Sequence, residues 1–246
     1  MSGLHAFPLS LLLAIQTFAA KVEIERPDRL PEIEVPTQET IRTSIERGCA
    51  FLKKRQNPDG SWGSARQTKG LNIFAPVPGS HRAFRLAVTA LSIAALIENK
   101  ASEPVFAETI SKGEDHLLER LPYLRRATPV AIYNVWAHAF GIQALVRMQG
   151  RAAKHPDANA TSRLARINEL IRHQTGMLQR YESVDGGWGY YDFNAHTKQP
   201  SGSSISFVNA TGLVAMHEAK KRGIEVPEKL VRRAYDAIQR QRLPDH

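Results

Sequence analysis

The sequence predicts an all-α protein whose helices pair into hairpins and stack in two layers. Three observations predict it. A helix stop followed by tryptophan occurs twice, uncharged helices alternate with charged ones, and no segment of any length shows the two-residue alternation of a strand.

The first copy of the helix stop is RGCAFLKKRQNPDGSWG, Arg47 to Gly63, and the second is MLQRYESVDGGWG, Met177 to Gly189. They align without a gap at an offset of 126 residues, which sets Asp59, Gly60, Trp62 and Gly63 on Asp185, Gly186, Trp188 and Gly189. A helix end leaves backbone carbonyls without partners. Glycine after the turn permits a left-handed backbone, and the tryptophan two residues on can lie back over the helix end. Gln56, in the last turn, can donate to those carbonyls or to the next repeat. Self-similarity of this kind implies an array of one supersecondary unit.

At 246 residues, with 42% hydrophobic and 23% charged content, the chain can form one large globular domain. The single cysteine, Cys49, excludes an intrachain disulfide and a multi-thiolate metal site. The net charge of +9 favours acidic partners in principle. The Lys and Arg residues fall mostly on helices read as outward-facing, so a solvated outer face explains them and no nucleic-acid partner is predicted.

Residues 1–20 carry an apolar run, Leu9 to Ile15, and end in Ala19-Ala20, which resembles a secretory signal peptide and predicts a secreted or periplasmic protein. No Lys or Arg precedes the run; the other reading is a disordered or core-docked N-terminus. The segment is too short to span a bilayer. Residues 21–37, with Pro27, Pro31 and Pro36, read as an extended linker.

Seven helices follow, at about 38–56, 82–98, 104–121, 129–148, 161–182, 203–221 and 227–242. The second, fourth and sixth are uncharged through their cores; the others are charged and amphipathic. A helix uncharged all round is buried, and one with an apolar stripe faces solvent on its other side. Their alternation implies an inner and an outer layer, as a solenoid or a closed double ring.

The pattern RG-x2-FL-x3-Q-x3-G-x-W, Arg47 to Trp62, resembles the QW motif of the terpene cyclase and prenyltransferase superfamily. The second copy departs from it, with Glu182 at the place of Gln56. Over residues 38–246 the layout is most similar to the squalene-cyclase-like repeat proteins of bacteria, and the resemblance implies an α/α toroid. Arg233-Ala234, Ile238 and Leu243-Pro244-Asp245 look like a third copy, truncated before its Gly and Trp. Seven helices then make about half a ring, and its open edge favours self-association.

In a toroid the inner helices line the cavity. Helix four offers Tyr133, Trp136 and Phe140 on one face, with Asn134 and His138 at i, i+4 on a neighbouring face. Helix six offers Ser206, Phe207, Asn209 and Thr211, and helix two Thr89 and Ser92. Tyr133, Asn134, Trp136, His138, Phe207 and Asn209 are therefore the candidate ligand-binding set, suited to an isoprenoid or lipid-like ligand. Ordinary helix packing is the alternative for each of them.

The superfamily's catalytic signatures are missing. Neither DxDD nor DDxxD occurs, and Cys49 lies on an outer helix, away from any Asp/Cys/His zinc site and better read as a buried packing residue. No metal or cofactor is predicted. Asp192 and His196, in the loop Tyr190 to Ser204, are the remaining acid–base candidates. Glycosidase-like toroids need paired carboxylates across a cleft, and none is found. Two readings stay open: a non-catalytic exported repeat domain binding a protein partner or apolar ligand on its inner face, and a terpenoid cyclase or prenyltransferase-like enzyme.

Overall fold

In a computed structural model of the protein, the described residues are 34–64, 78–99, 103–124, 134–154, 160–190 and 200–242. The chain divides into two units, Met1–Thr37 and Gln38–His246, and all the described helices belong to the second. The signal-like segment, nearly all of the linker, Tyr133, Asp192, His196 and the Leu243–Asp245 segment lie outside the described residues.

The helices are α1 (Gln38–Arg55), α2 (Pro78–Glu98), α3 (Glu103–Arg120), α4 (Asn134–Lys154), α5 (Ala160–Arg180), α6 (Ser206–Lys221) and α7 (Glu228–Arg240), with a 3-10 turn at Leu121–Tyr123 after α3. Seven α-helices and no strand among the described residues agree with the all-α expectation. Helix α4 runs on to Lys154, beyond the expected 148, passing through Gly150, which costs about 1 kcal/mol relative to alanine but does not end a helix as proline would. Helix α6 starts at Ser206 rather than 203: Ile205 at its N-cap is extended, and its backbone N–H is engaged by the Trp188 carbonyl.

The packing follows the charge pattern. Helix α4 packs against α2 on one flank, α6 on the other and α5 behind, while α3 packs on α2 and α7 on α6. The three uncharged helices thus form one row, backed by charged ones. Ile93 and Leu96 of α2, Ile142 and Leu145 of α4, and Ile167 and Ile171 of α5 are fully buried. Each such side chain is worth roughly 1.5–3 kcal/mol. Glu114 of α3, itself buried, ties the charged row together by accepting from Arg151 of α4 (3.2 Å) and Arg163 of α5 (2.7 Å).

The repeat shows what α1 lacks. Ile167, Leu170, Ile171, Gln174, Thr175 and Leu178 form the buried stripe of α5. The aligned positions in α1 are Ile41, Ser44, Ile45, Gly48, Cys49 and Leu52, and of these only Cys49 is buried. Ile41 and Ile45 are 39% and 48% exposed, and among the described residues no helix covers α1 as α4 covers α5. Cys49 is a packing residue, as expected, and accepts a bond from Asn99 Nδ2 at 3.2 Å.

The two tryptophan turns are built alike. Asn57 N–H donates to the Ser61 carbonyl (2.8 Å) and Gly60 N–H to the Asn57 carbonyl (2.9 Å); Ser183 and Gly186 repeat this at 2.7 and 2.9 Å. Each indole N–H donates to a carbonyl ten residues back, Trp62 to Leu52 at 2.8 Å and Trp188 to Leu178 at 2.7 Å. Each tryptophan backbone N–H is held by the uncharged helix that follows, through Thr89 Oγ1 in α2 and Asn209 Oδ1 in α6. Gly60 and Gly186 sit at φ +82° and +92°, and a Cβ there would strike the Lys112 and Arg233 carbonyls. Gln56 Nε2 donates to the Gly60 carbonyl (2.9 Å) and the Thr109 carbonyl of α3 (2.8 Å), as its place in the motif predicts.

Candidate functional site

The row of uncharged helices leaves one face open. Among the positions not fully buried, one series per helix lies along this face: Phe84, Val88 and Leu91 of α2, Trp136, Phe140, Gln143 and Arg147 of α4, and Phe207, Thr211, Val214 and Glu218 of α6. Each series follows i, i+4, i+7, the spacing of one helix face.

At one end of this face four rings meet. Trp136 touches Phe84 edge-on at 6.4 Å between centroids, Tyr190 edge-on at 5.7 Å and Phe207 at 6.3 Å; Tyr190 and Phe207 are 6.2 Å apart. These are the separations at which aromatic pairs attract. Phe207 remains half exposed. At the other end, about 16 Å along α4 by helical rise, Arg147 spans the row. Its Nε donates to Glu98 of α2 at 2.8 Å, and its Nη atoms donate to both carboxylate oxygens of Glu218 on α6, at 2.6 and 3.1 Å. The arrangement is an aliphatic strip with an aromatic head and a closed ionic foot.

The structure divides the expected ligand set. Trp136 and Phe207 lie on the open face and touch. Asn134, His138 and Asn209 are buried and lie off that face. Spacing shows that Asn134 and His138 share a side of α4, but that side faces the protein interior. His138 Nδ1 bonds Gln174 of α5 at 2.6 Å and the ring lies 5.7 Å from that of Tyr181. Burial pushes its pKa down to about 4, against the opposing effect of the Gln174 bond. Asn209 accepts the Trp188 backbone N–H through Oδ1, as Thr89 Oγ1 accepts that of Trp62. Ser92 is buried, and the Thr211 hydroxyl donates to the Phe207 carbonyl within its own helix.

Phe84 and Tyr190 complete the ring cluster and were not among the expected residues. Phe84 had a signal: it stands one turn before the apolar strip of α2. Asp59, Gly60, Trp62, Asp185, Gly186 and Trp188 are turn-forming, as expected, and Glu182 is bonded to Arg233 Nε at 2.6 Å.

Comparison with family models, with curated proteins and with solved structures returns no match. Among the described residues no three His, Cys, Asp or Glu side chains converge as a metal site, and no helix is long and apolar enough to cross a membrane.

Proposed function

We propose that this chain is an exported, non-catalytic repeat domain of the squalene-cyclase-like kind, which holds an isoprenoid or lipid-like chain along the open face of α2, α4 and α6. The face is read as the inner wall of about half an α/α toroid. The observation that carries the proposal is the four-ring cluster: three uncharged helices each contribute one ring to a single spot, with Val88, Leu91, Phe140 and Val214 continuing the apolar track. Ring faces and aliphatic edges without free charge bind apolar chains by the area they remove from water. The two carboxylates on the face, Glu98 and Glu218, are paired with Arg147 at the end remote from the rings, which favours binding over acid–base chemistry there.

The protein carries its own reporter. Of three tryptophans, Trp62 and Trp188 are 2% and 0% exposed, whereas Trp136 borders the face. Titration with farnesol is expected to change tryptophan emission saturably. Phe207→Ala, at an exposed position that the fold does not depend on, is expected to weaken binding about tenfold, in line with the loss of one aromatic contact. Emission that never saturates, or equal affinity in Phe207→Ala, would sink the proposal.

A further inference from the structure

On the other side of α2 the first tryptophan turn opens into a cavity of about 300 Å³, lined by Asp59, Arg82, Arg85, His116, Arg120 and Tyr123 with two leucines. Four of its groups are basic and one is acidic. The acid is already engaged: Asp59 accepts from Ser61 Oγ (2.7 Å) and Arg85 Nη2 (3.0 Å). Its partial burial works to raise its pKa, but the Ser61 bonds and the charges of Arg85 and His116 outweigh that and hold it below the usual carboxylate range. His116, buried on the cavity floor, is oriented by a 3.1 Å bond between Nδ1 and the Asp59 carbonyl. Arg82 is exposed at the rim, and Arg120, also exposed, pairs at 3.1 Å with its neighbour Glu119. Burial depresses the pKa of His116 against the raising effect of Asp59, and Arg85 and Arg120 add to the depression; burial, then Arg85 and Arg82, depress that of His81.

The second repeat serves as an internal comparison. Thr89 and Asn209 hold equivalent tryptophans and stand 120 positions apart; Lys112 and Arg233 back equivalent glycines and stand 121 apart. By these offsets Arg82, Arg85, His116 and Arg120 correspond to Gly202, Ile205, Ala237 and Gln241. All four basic groups are replaced by neutral ones, while Asp59 is retained as Asp185. There Ser204 closes the turn, its N–H and Oγ bonded to Asp185 at 3.0 and 3.1 Å, and Gln241 donates to the Ser204 carbonyl at 3.1 Å. The second turn draws its basic partners from elsewhere on α7: Arg240 donates to the Asp185 carbonyl, the bond that His116 makes to the Asp59 carbonyl in the first. Arg85 and His116 bond the first turn itself, so it is the rim pair, Arg82 and Arg120, that turn-building does not explain.

We infer that this cavity binds a small oxyanion, the phosphate or carboxylate group of a soluble ligand, with Arg85 and His116 as its floor and the Arg82 and Arg120 guanidinium forks closing over it. Arginine forks match the paired oxygens of such groups. The site is separate from the apolar face and does not depend on it.

The test is calorimetric titration of the whole chain with inorganic phosphate at low ionic strength, repeated with succinate. The expected result is one saturable site, weakened by added salt. Arg82→Gln and Arg120→Gln should each lower its affinity about tenfold. Both residues are exposed, so the variants should keep the parent's melting temperature. Succinate displacing phosphate would sustain the site as one for oxyanions generally; failure to displace would sustain it as selective for phosphate. Absence of saturable phosphate binding, or equal affinity in the folded double variant, overturns the inference.

Discussion

Glu182 accepts a 2.6 Å bond from Arg233 where the first repeat has Gln56 donating to two carbonyls. A carboxylate cannot donate, so the second turn takes its donors from the facing helix. Arg233 also reaches the Val184 carbonyl at 2.7 Å. Arg233→Ala should cost about 1–2 kcal/mol, since it strands an acceptor and a carbonyl together. Glu182→Gln in that background should recover part of the loss by restoring a side-chain donor. Urea midpoints of the two variants decide it: a double variant no more stable than Arg233→Ala defeats the account.

Glycine substitutions should split by position. Gly60→Ala forces a side chain onto a left-handed backbone and sets its Cβ 2.2 Å from the Lys112 carbonyl oxygen, so it should lose roughly 3 kcal/mol or more. Gly176→Ala lies within α5 with nothing in reach of the new methyl, and should gain up to about 1 kcal/mol from helix propensity. Thermal melts of the pair check both signs; equal effects would mean the turn can relax.

Stability should fall in mild acid because of His138. Burial, together with the nearby His173, holds its folded pKa near 4 against an ordinary 6.5, so the folded state binds fewer protons than the unfolded one. Its contribution is complete above pH 6.5 and is lost as pH falls toward 4, by roughly 3 kcal/mol. His81 and His116, also depressed, act with the same sign. Glu114 acts oppositely: burial outweighs its two arginines and raises its pKa, so its term favours folding at low pH and weakens as pH rises past about 4.5. Melting temperature against pH should drop between 6.5 and 4, and His138→Gln should flatten that drop. An unchanged slope in the variant counts against the assignment.

The uncovered stripe of α1 should drive self-association, the role proposed for the open edge of the array. Ile41 and Ile45 occupy the positions that α4 seals in α5, and they are exposed. Sedimentation is expected to show concentration-dependent association of the parent chain and a monomer for Ile41→Glu/Ile45→Glu. Identical behaviour of the two proteins, associated or not, removes α1 from the interface.

The elements were legible because their signals are local. Asn57-Pro58-Asp59-Gly60 stops α1 wherever it lies, and charge-free stretches mark α2, α4 and α6 however they pack. Which side of an uncharged helix stays open was not legible, because such a helix is apolar in every direction. Spacing therefore grouped Asn134 with His138 correctly but could not say that both are buried, with His138 against α5. The structural role of Asn209 was hidden for a related reason: an amide suited to a ligand is equally suited to a tryptophan N–H, and the match with Thr89 reveals the second use. The Arg147 bridge escaped notice because its members lie just beyond the uncharged cores, where charges ordinarily mean solvent.

Trp62 is bonded to a residue 27 positions ahead and Trp188 to one 21 positions ahead, yet the two turns agree to a tenth of an ångström in their backbone bonds. The staple from tryptophan to the next helix thus holds both turns alike across connections of different length. Doubling the length of such a segment costs only about 0.6 kcal/mol in closure entropy. The number of residues between tryptophan and staple is accordingly a quantity in which two repeats of one fold can differ while their turns stay the same.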